Sequence, residues 1–286
     1  MSALSRINEK SLRPAVQLES VERDEILSFL ARRPCHTVFM ASLIRENGVV
    51  SDRNRGSFYG VRDIDGKFSG VGLLGHATFI EARTDAAMAA LASVADHAPV
   101  PTVLMRGERH DINRFWDQRQ SSIKPRLICD EQLMVQHRPN SSEAIVNDVR
   151  PAAPEDLEAL ININLELFIN ESGRNPMKEN AQGFRERLAR RIDQGRIWIW
   201  AKDGDIIFKA DIVAETPEAI YLESVYVNPA KRGKGYGRRC LSNLGTTLLQ
   251  RSRSICLTVK DGDQGTAGFF QKAGYAFHSS YQTIYL

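Results

Sequence analysis

The segment Val225-Tyr-Val-Asn-Pro-Ala-Lys-Arg-Gly-Lys-Gly-Tyr-Gly-Arg-Arg239 joins an apolar β-prone run, a glycine-rich loop and the start of an amphipathic helix. Such a junction aims several backbone N–H groups at one spot. Gly233, Gly235 and Gly237 carry no Cβ to hold a ligand off the backbone, and a helix N-terminus adds partial positive charge. An anion of the pyrophosphate kind therefore fits there. Glycine spacing alone is weak evidence, because such loops also serve as plain turns. Two commoner phosphate loops are excluded: no Gly-Lys-Ser/Thr closes a P-loop, and GxGxG is not the GxGxxG of a dinucleotide site. The strands before the loop also read as antiparallel hairpins, not as a βαβ unit.

Working outward, Leu241, Leu244, Leu248 and Leu249 give the helix after Gly235 one apolar face for burial on a sheet. Ser254–Val259 reads as a strand, Gly265–Ala273 as a short helix capped by Gly274, and Tyr275–Leu286 as a final pair of strands. Upstream, Arg196–Ala201, Ile206–Val213 and Ala219–Val227 form a three-stranded antiparallel meander turning at Asp203-Gly204 and Pro217. Before it lie a helix ending at Gly195 and another starting at Pro154-Glu-Asp156, preceded by a short strand at Val149–Ala152. The resulting order is βααβββαβαββ.

The chain has 286 residues, a length that favours two domains of ordinary size. A polar stretch with Pro139 and paired serines at 139–148 is the expected linker, separating domains at 15–138 and 149–286. In the first half, Val21–Arg32 reads as a helix, and Phe58–Val61 and Phe68–Leu74 as strands joined at Asp65-Gly66. Thr84–His97 reads as a helix, Thr102–Met105 as a strand, Asp111–Asp117 as a helix and Glu131–His137 as a strand.

Apolar residues make up 42% and charged residues 26%, the composition of a folded globular protein. Net charge is only +3, without a long basic run, so the footprint of a nucleic-acid binder is missing. Cys35, Cys129, Cys240 and Cys256 form no CxxC pair and read as reduced, buried thiols. The six histidines show no ligand spacing, so no metal is expected. No apolar run is long enough to span a membrane and the first residues lack a signal-peptide core, which points to the cytoplasm. Oligomeric state is not legible.

The glycine segment resembles the acetyl-CoA signature of the GNAT superfamily, Arg/Gln-x-x-Gly-x-Gly/Ala, at Arg232, Gly235 and Gly237. Asn228-Pro229, Lys231-Arg232 and the downstream Phe-Gln-Lys-Ala-Gly-Tyr275 extend the likeness over the C-terminal half. The resemblance implies a mixed α/β (α+β) GNAT fold with a mostly antiparallel central sheet flanked by helices. It implies acetyl-CoA as cosubstrate and transfer of an acetyl group to a primary amine of a small molecule, amino acid or protein. Gly233, Lys234, Gly235, Tyr236, Gly237 and Arg238 would hold the pyrophosphate, with Arg239 nearby, and Val225, Tyr226 and Val227 would pair with the pantetheine arm.

Glu223 interrupts an apolar strand and is the best candidate base; its bland reading is a cross-strand ion pair with Lys209. Tyr226, Tyr281 and Tyr285 are candidate sources of a hydroxyl. Trp198 and Trp200 share a strand face and read as core. Two positions depart from the family. Phe270 stands where an acidic tyrosine is common, and Asp263 where a CoA-binding asparagine is common. Those departures leave open a non-catalytic acyl-CoA sensor, and the loop itself leaves open another acyl group. The element order of the first half echoes the second, so a degenerate GNAT-like domain without the cofactor loop is expected there.

Overall fold

Apolar runs and helical periodicities produce the expected kinds of element in the computed structural model, which describes residues 13–119, 123–140, 149–172, 174–202 and 204–286. The expected linker therefore lies largely outside the described residues, as does Asp203 of the expected turn. Two units form, and they do not divide at one point of the chain. The first comprises residues up to Leu133 with Val259–Gly262 and His278–Leu286; the second comprises Met134–Thr258 and Asp263–Phe277.

In the first unit the strands are β1 (Val16–Gln17), β2 (Gly56–Arg62), β3 (Phe68–Gly75), β4 (Ala77–Ala82), β5 (Leu104–Glu108) and β12 (Ala276–Tyr285), adjacent in that order. β2, β3 and β4 are antiparallel, with Gly66 at φ 80° in the β2–β3 turn. β5 is parallel to β4 and antiparallel to β12. Helices α1 (Arg23–Leu30) and α2 (Pro34–Asn47) supply one apolar cluster with Phe58, Phe68 and Val71; α3 (Asp85–Ala95) and α4 (Arg109–Gln118) supply another with Leu74, Met105 and Ile284. α2 and β4 were not legible in the sequence. α2 buries Thr37, Met40, Ala41, Ser42 and Ile44, so no clean polar face marks its period.

In the second unit β7 (Arg150–Pro151), β8 (Ile197–Lys202), β9 (Asp205–Glu215) and β10 (Ile220–Val227) are successive antiparallel neighbours. β11 (Ile255–Lys260) runs parallel to β10, and the end of β6 (Leu127–Gln136) follows it. Helices α5 (Leu157–Ser172) and α6 (Pro176–Asp193) cover one apolar cluster with Ile197, Ile199 and Ile206. Helix α7 (Tyr236–Leu248) buries Cys240, Leu241, Leu244 and Leu248, the face the spacing predicts. Full burial of each leucine contributes about 1.5–3 kcal/mol. Helix α8 (Gln264–Lys272) completes the unit.

One expectation is corrected. Tyr275–Leu286 does not form a pair of strands, because β12 is a single strand of 10 residues. It holds no Gly, Pro, Asn or Asp to reverse the chain. Its second half, Tyr281–Tyr285, pairs with β5, which is why the C-terminus groups with the first unit. The cysteine reading is adjusted as well: Cys35, Cys240 and Cys256 are buried, but Cys129 is half-buried.

Candidate active site

β10 departs from regular pairing on both sides. It meets β11 only at Ile220–Ile255 and Tyr221–Cys256, so the rest of that edge has no β11 partner in register. Against β9, Glu223 lies opposite Asp211 and Tyr226 opposite Lys209. Three steps along β10 thus match two along β9, which is a bulge of one extra residue. Ser224 within it takes φ 52°, a left-handed conformation that costs a non-glycine residue about 1–2 kcal/mol.

The bulge decides which side chains meet. Directly opposite residues project to one face, and residues two apart along a strand share a face. Regular pleating would send Glu223 and Tyr226 to opposite faces; the bulge puts both on the face of Lys209 and Asp211. The neighbours of Glu223 follow from this register. Its register partner is Asp211, while the Lys209 ammonium lies 2.7 Å from Asp211 and within electrostatic reach of Glu223. Burial pushes the Lys209 pKa down against the pull of Asp211. Tyr226 is half-buried, and burial reinforced by the Glu166 charge raises its pKa, keeping the hydroxyl protonated at neutral pH.

On the opposite face, Val225 and Val227 line a groove of about 710 Å³ together with Lys231, Arg232, Gly233, Gly235, Tyr236, Gly237 and Arg238. Its other wall is α8, through Gln264, Gly265, Thr266, Gly268, Phe269, Phe270 and Lys272. Tyr226 and Lys234, expected with the loop residues, are not among those lining it: the first projects to the other face and the second is exposed. Of the α8 wall, only Phe270 was singled out in the sequence. The signal for the wall was the small-residue run Gly265-Thr-Ala-Gly268 opening a helix after an apolar strand, a second junction of the kind that marks Gly235.

The loop is held by its own polar groups. Asn228 accepts from the Ala230 N–H at 3.0 Å, and Arg232 Nε donates to the Val227 carbonyl at 3.1 Å. Gly233 and Gly235 both take φ 76°, which side chains rarely adopt. A Cβ on Gly237 would lie 2.5 Å from Val227 Cγ2, so only glycine lets α7 approach β10 this closely. Trp200, core as expected, packs edge-on against Tyr236 with ring centroids 5.2 Å apart. No side chain caps α7, whose N-cap is Gly235. The N–H groups of its first turn, which have no acceptor within the helix, therefore face the groove with the positive end of the helix dipole.

The departures at α8 have structural roles. Asp263 caps α8, accepting from the Thr266 N–H at 2.9 Å, work that an ionised carboxylate performs well. Phe270 is buried between Phe269 and Tyr275 in edge-to-face contacts and brings no hydroxyl to the groove. Tyr275 is no substitute, since its hydroxyl is buried and burial pushes its pKa up.

The first unit repeats the strand and helix order around β4, α3, β5 and α4, with β4 and β5 paired in parallel only at Ala77–Leu104 and Thr78–Met105. Its helix terminus carries a side-chain cap and negative charge. Thr84 caps α3 by accepting from the Ala87 N–H at 3.1 Å, and Asp85 stands in its first turn. Arg33 bridges the parting strands, 3.3 Å from Glu81 and 2.5 Å from Glu108.

Residues 157–275 match the family model described as "Acetyltransferase (GNAT) family". This region is a GNAT-family domain. Solved structures extend the likeness of fold to nearly the whole chain. One is a Drosophila protein, 11% identical, covering 96% of this chain and 99% of its own, with a TM-score of 0.70. A tandem GNAT protein from the clavulanic acid biosynthesis pathway is 13% identical and covers 94% and 97%, with a TM-score of 0.57. A GCN5-related N-acetyltransferase from Sphaerobacter thermophilus is 16% identical and covers 94% of each chain, with a TM-score of 0.55. Among curated proteins none matches. The GNAT fold, with a second GNAT-like arrangement in the first unit, follows from these likenesses together with the repeated strand and helix order. Among the described residues, no helix is long and apolar enough to cross a membrane.

Proposed function

We propose that the chain is an acetyl-CoA-dependent N-acetyltransferase acting on a primary amine. The observation that carries this reading is the uncapped, glycine-lined N-terminus of α7 facing a groove bounded by the open edge of β10. The groove takes the pyrophosphate on the amides of Gly233 to Arg238. Val225, Tyr226 and Val227 offer backbone groups to a peptide-like pantetheine arm, which completes the strand edge. The bulge leaves Ser224 and Val225 without register partners in β9, so a backbone N–H there is available to the oxyanion that forms as the amine adds to the thioester.

Glu223 takes the proton lost by the attacking amine, and the thiolate departs as the carbon–sulfur bond breaks. Tyr226, held protonated on the same face as Glu223, supplies a hydroxyl near the reacting centre. The acceptor approaches from the face that carries these two side chains, so its identity is set there and not by the CoA groove.

Titration calorimetry with acetyl-CoA, followed by thiol release in the presence of pooled amines, tests the reading. Saturable binding is expected, with amine-dependent release that falls about 10²–10⁴-fold in Glu223→Gln. A chain that binds no acetyl-CoA would overturn the assignment of the loop. The phenyl ring of Phe270 on the groove wall favours one second reading, a non-catalytic acyl-CoA sensor. Binding without turnover over a broad amine panel would establish it. Faster release from a longer acyl-CoA would instead identify a different acyl donor.

A further inference from the structure

The polar cluster beneath β10 is unusual for a sheet interior. Lys209 and Asp211 both have no exposed side-chain surface, and charged side chains are almost never buried so completely unless paired. Asp211 Oδ1 lies 2.7 Å from Lys209 Nζ and Asp211 Oδ2 lies 3.5 Å from Arg191 of α6. Asp211 thus stands between two cations as an ion contact to each. Lys209 Nζ is also within 3.5 Å of the carbonyl oxygen of Ser224, the left-handed residue of the bulge. A buried pair of this kind is a poor device for stability, since apolar residues of the same volume do as well or better. Its value lies in specifying one arrangement of the groups around it.

We propose that Lys209 is a positioning residue for acyl transfer, clamped by Asp211 and holding the Ser224 carbonyl so that the bulge keeps Glu223 and Tyr226 on one face of β10. The inference rests on the reading of Glu223 as the base. Its chemistry is electrostatic: the ammonium offsets the partial negative charge of a carbonyl turned inward by the left-handed φ, and stabilises the carboxylates of Asp211 and Glu223 on either side. Without that ammonium a non-glycine residue has no compensation for the left-handed conformation, and the strand relaxes toward regular pleating. Regular pleating turns Tyr226 away from Glu223.

The test uses the full chain as Lys209→Met, and as Lys209→Met with Asp211→Asn so that the fully enclosed carboxylate is not left without its ammonium if the single variant fails to fold. Acetyl-CoA affinity by calorimetry is expected to fall by less than turnover, because the pyrophosphate sits on the α7 amides and not on the bulge. At the same time kcat falls about 10²-fold, the cost of misplacing a reacting group by about 1 Å. A merely structural role would move affinity and turnover together. The carbon-13 shifts of Ser224 report the bulge directly and are expected to leave left-handed values in the double variant. Unchanged Ser224 shifts, or changed shifts with unchanged kcat, would overturn the proposal. Glu223→Gln is run alongside: full turnover in that variant removes the base and not the clamp, which the Ser224 shifts then decide alone.

Discussion

Single residues set the properties that are easiest to test. Gly235→Ala places a side chain at φ 76° with open space around it, so its cost is backbone strain of about 1–2 kcal/mol. Gly237→Ala meets Val227 Cγ2 and the Phe269 ring instead, and overpacking of that kind costs about 1–3 kcal/mol. Both are expected to weaken acetyl-CoA binding in calorimetry. Only the second is expected to open the contact between α7 and β10, seen as faster hydrogen exchange in Val225–Val227. A pH effect resides at His36 in the first unit. Burial, assisted by Arg33, lowers its pKa to about 4. A depressed histidine pKa means the folded form resists protonation, so its contribution to stability is present above about pH 6.5 and is lost as pH falls toward 4. Glu81 and Asp111 beside the same arginine are raised by burial and work in the opposite direction. Comparison with His36→Gln isolates the histidine: in denaturant melts the wild type is expected to lose stability relative to the variant between pH 7 and pH 4.5. Parallel curves would refute the effect.

Elements convert these residues into sites. The same construction, a strand followed by a helix whose N-terminus meets the parting of two parallel strands, occurs at α7 and at α3 with opposite outcomes. At α7 the cap position is glycine and the groove is open; at α3, Thr84 caps the terminus, Asp85 adds negative charge to its first turn and Arg33 spans the gap. α8 shows how a departure from a family pattern acquires a local reason. Asp263 is its N-cap, so Asp263→Ala is expected to lower stability by about 1 kcal/mol, while Asp263→Asn, which also caps, changes it by only a few tenths. Thermal melts of the two variants distinguish this from a role in binding the cosubstrate, in which asparagine would raise affinity.

At the scale of the whole molecule, one open helix terminus in two similar arrangements predicts one acetyl-CoA bound per chain; a calorimetric stoichiometry of two would show that the first unit also binds. The exchange of segments between units carries a second prediction. Because Tyr281–Tyr285 pairs with β5, truncation after Phe277 is expected to deprotect Leu104–Glu108 in hydrogen exchange. Protection in the α7 segment is expected to remain, since its packing lies within the second unit. Equal loss in both regions would contradict the observed grouping.

Much of this structure is legible in the sequence. The glycine loop, the meander before it, the apolar face of α7 and the caps at Gly195 and Gly274 are local features, and their residues carry the reason for the structure within a few positions of themselves. Glu223 was legible as a carboxylate in an apolar strand, and Thr84–His97 as a helix. Features set by distant contacts were not. The bulge depends on how β10 is matched to β9, and no spacing in β10 alone announces that Glu223 and Tyr226 will share a face. The burial of Lys209 and Asp211 reads in sequence as a polar interruption, and only packing shows both charges enclosed. The end of the chain looks like a hairpin until a strand partner distant in sequence is available to it. Sequence by itself determined the glycine loop and the class of fold, because hydrogen bonds and apolar period act over short range. Tertiary structure decided the parity of the candidate catalytic side chains and the grouping of the C-terminus, because register and strand partnership are set by contacts between segments far apart in the chain.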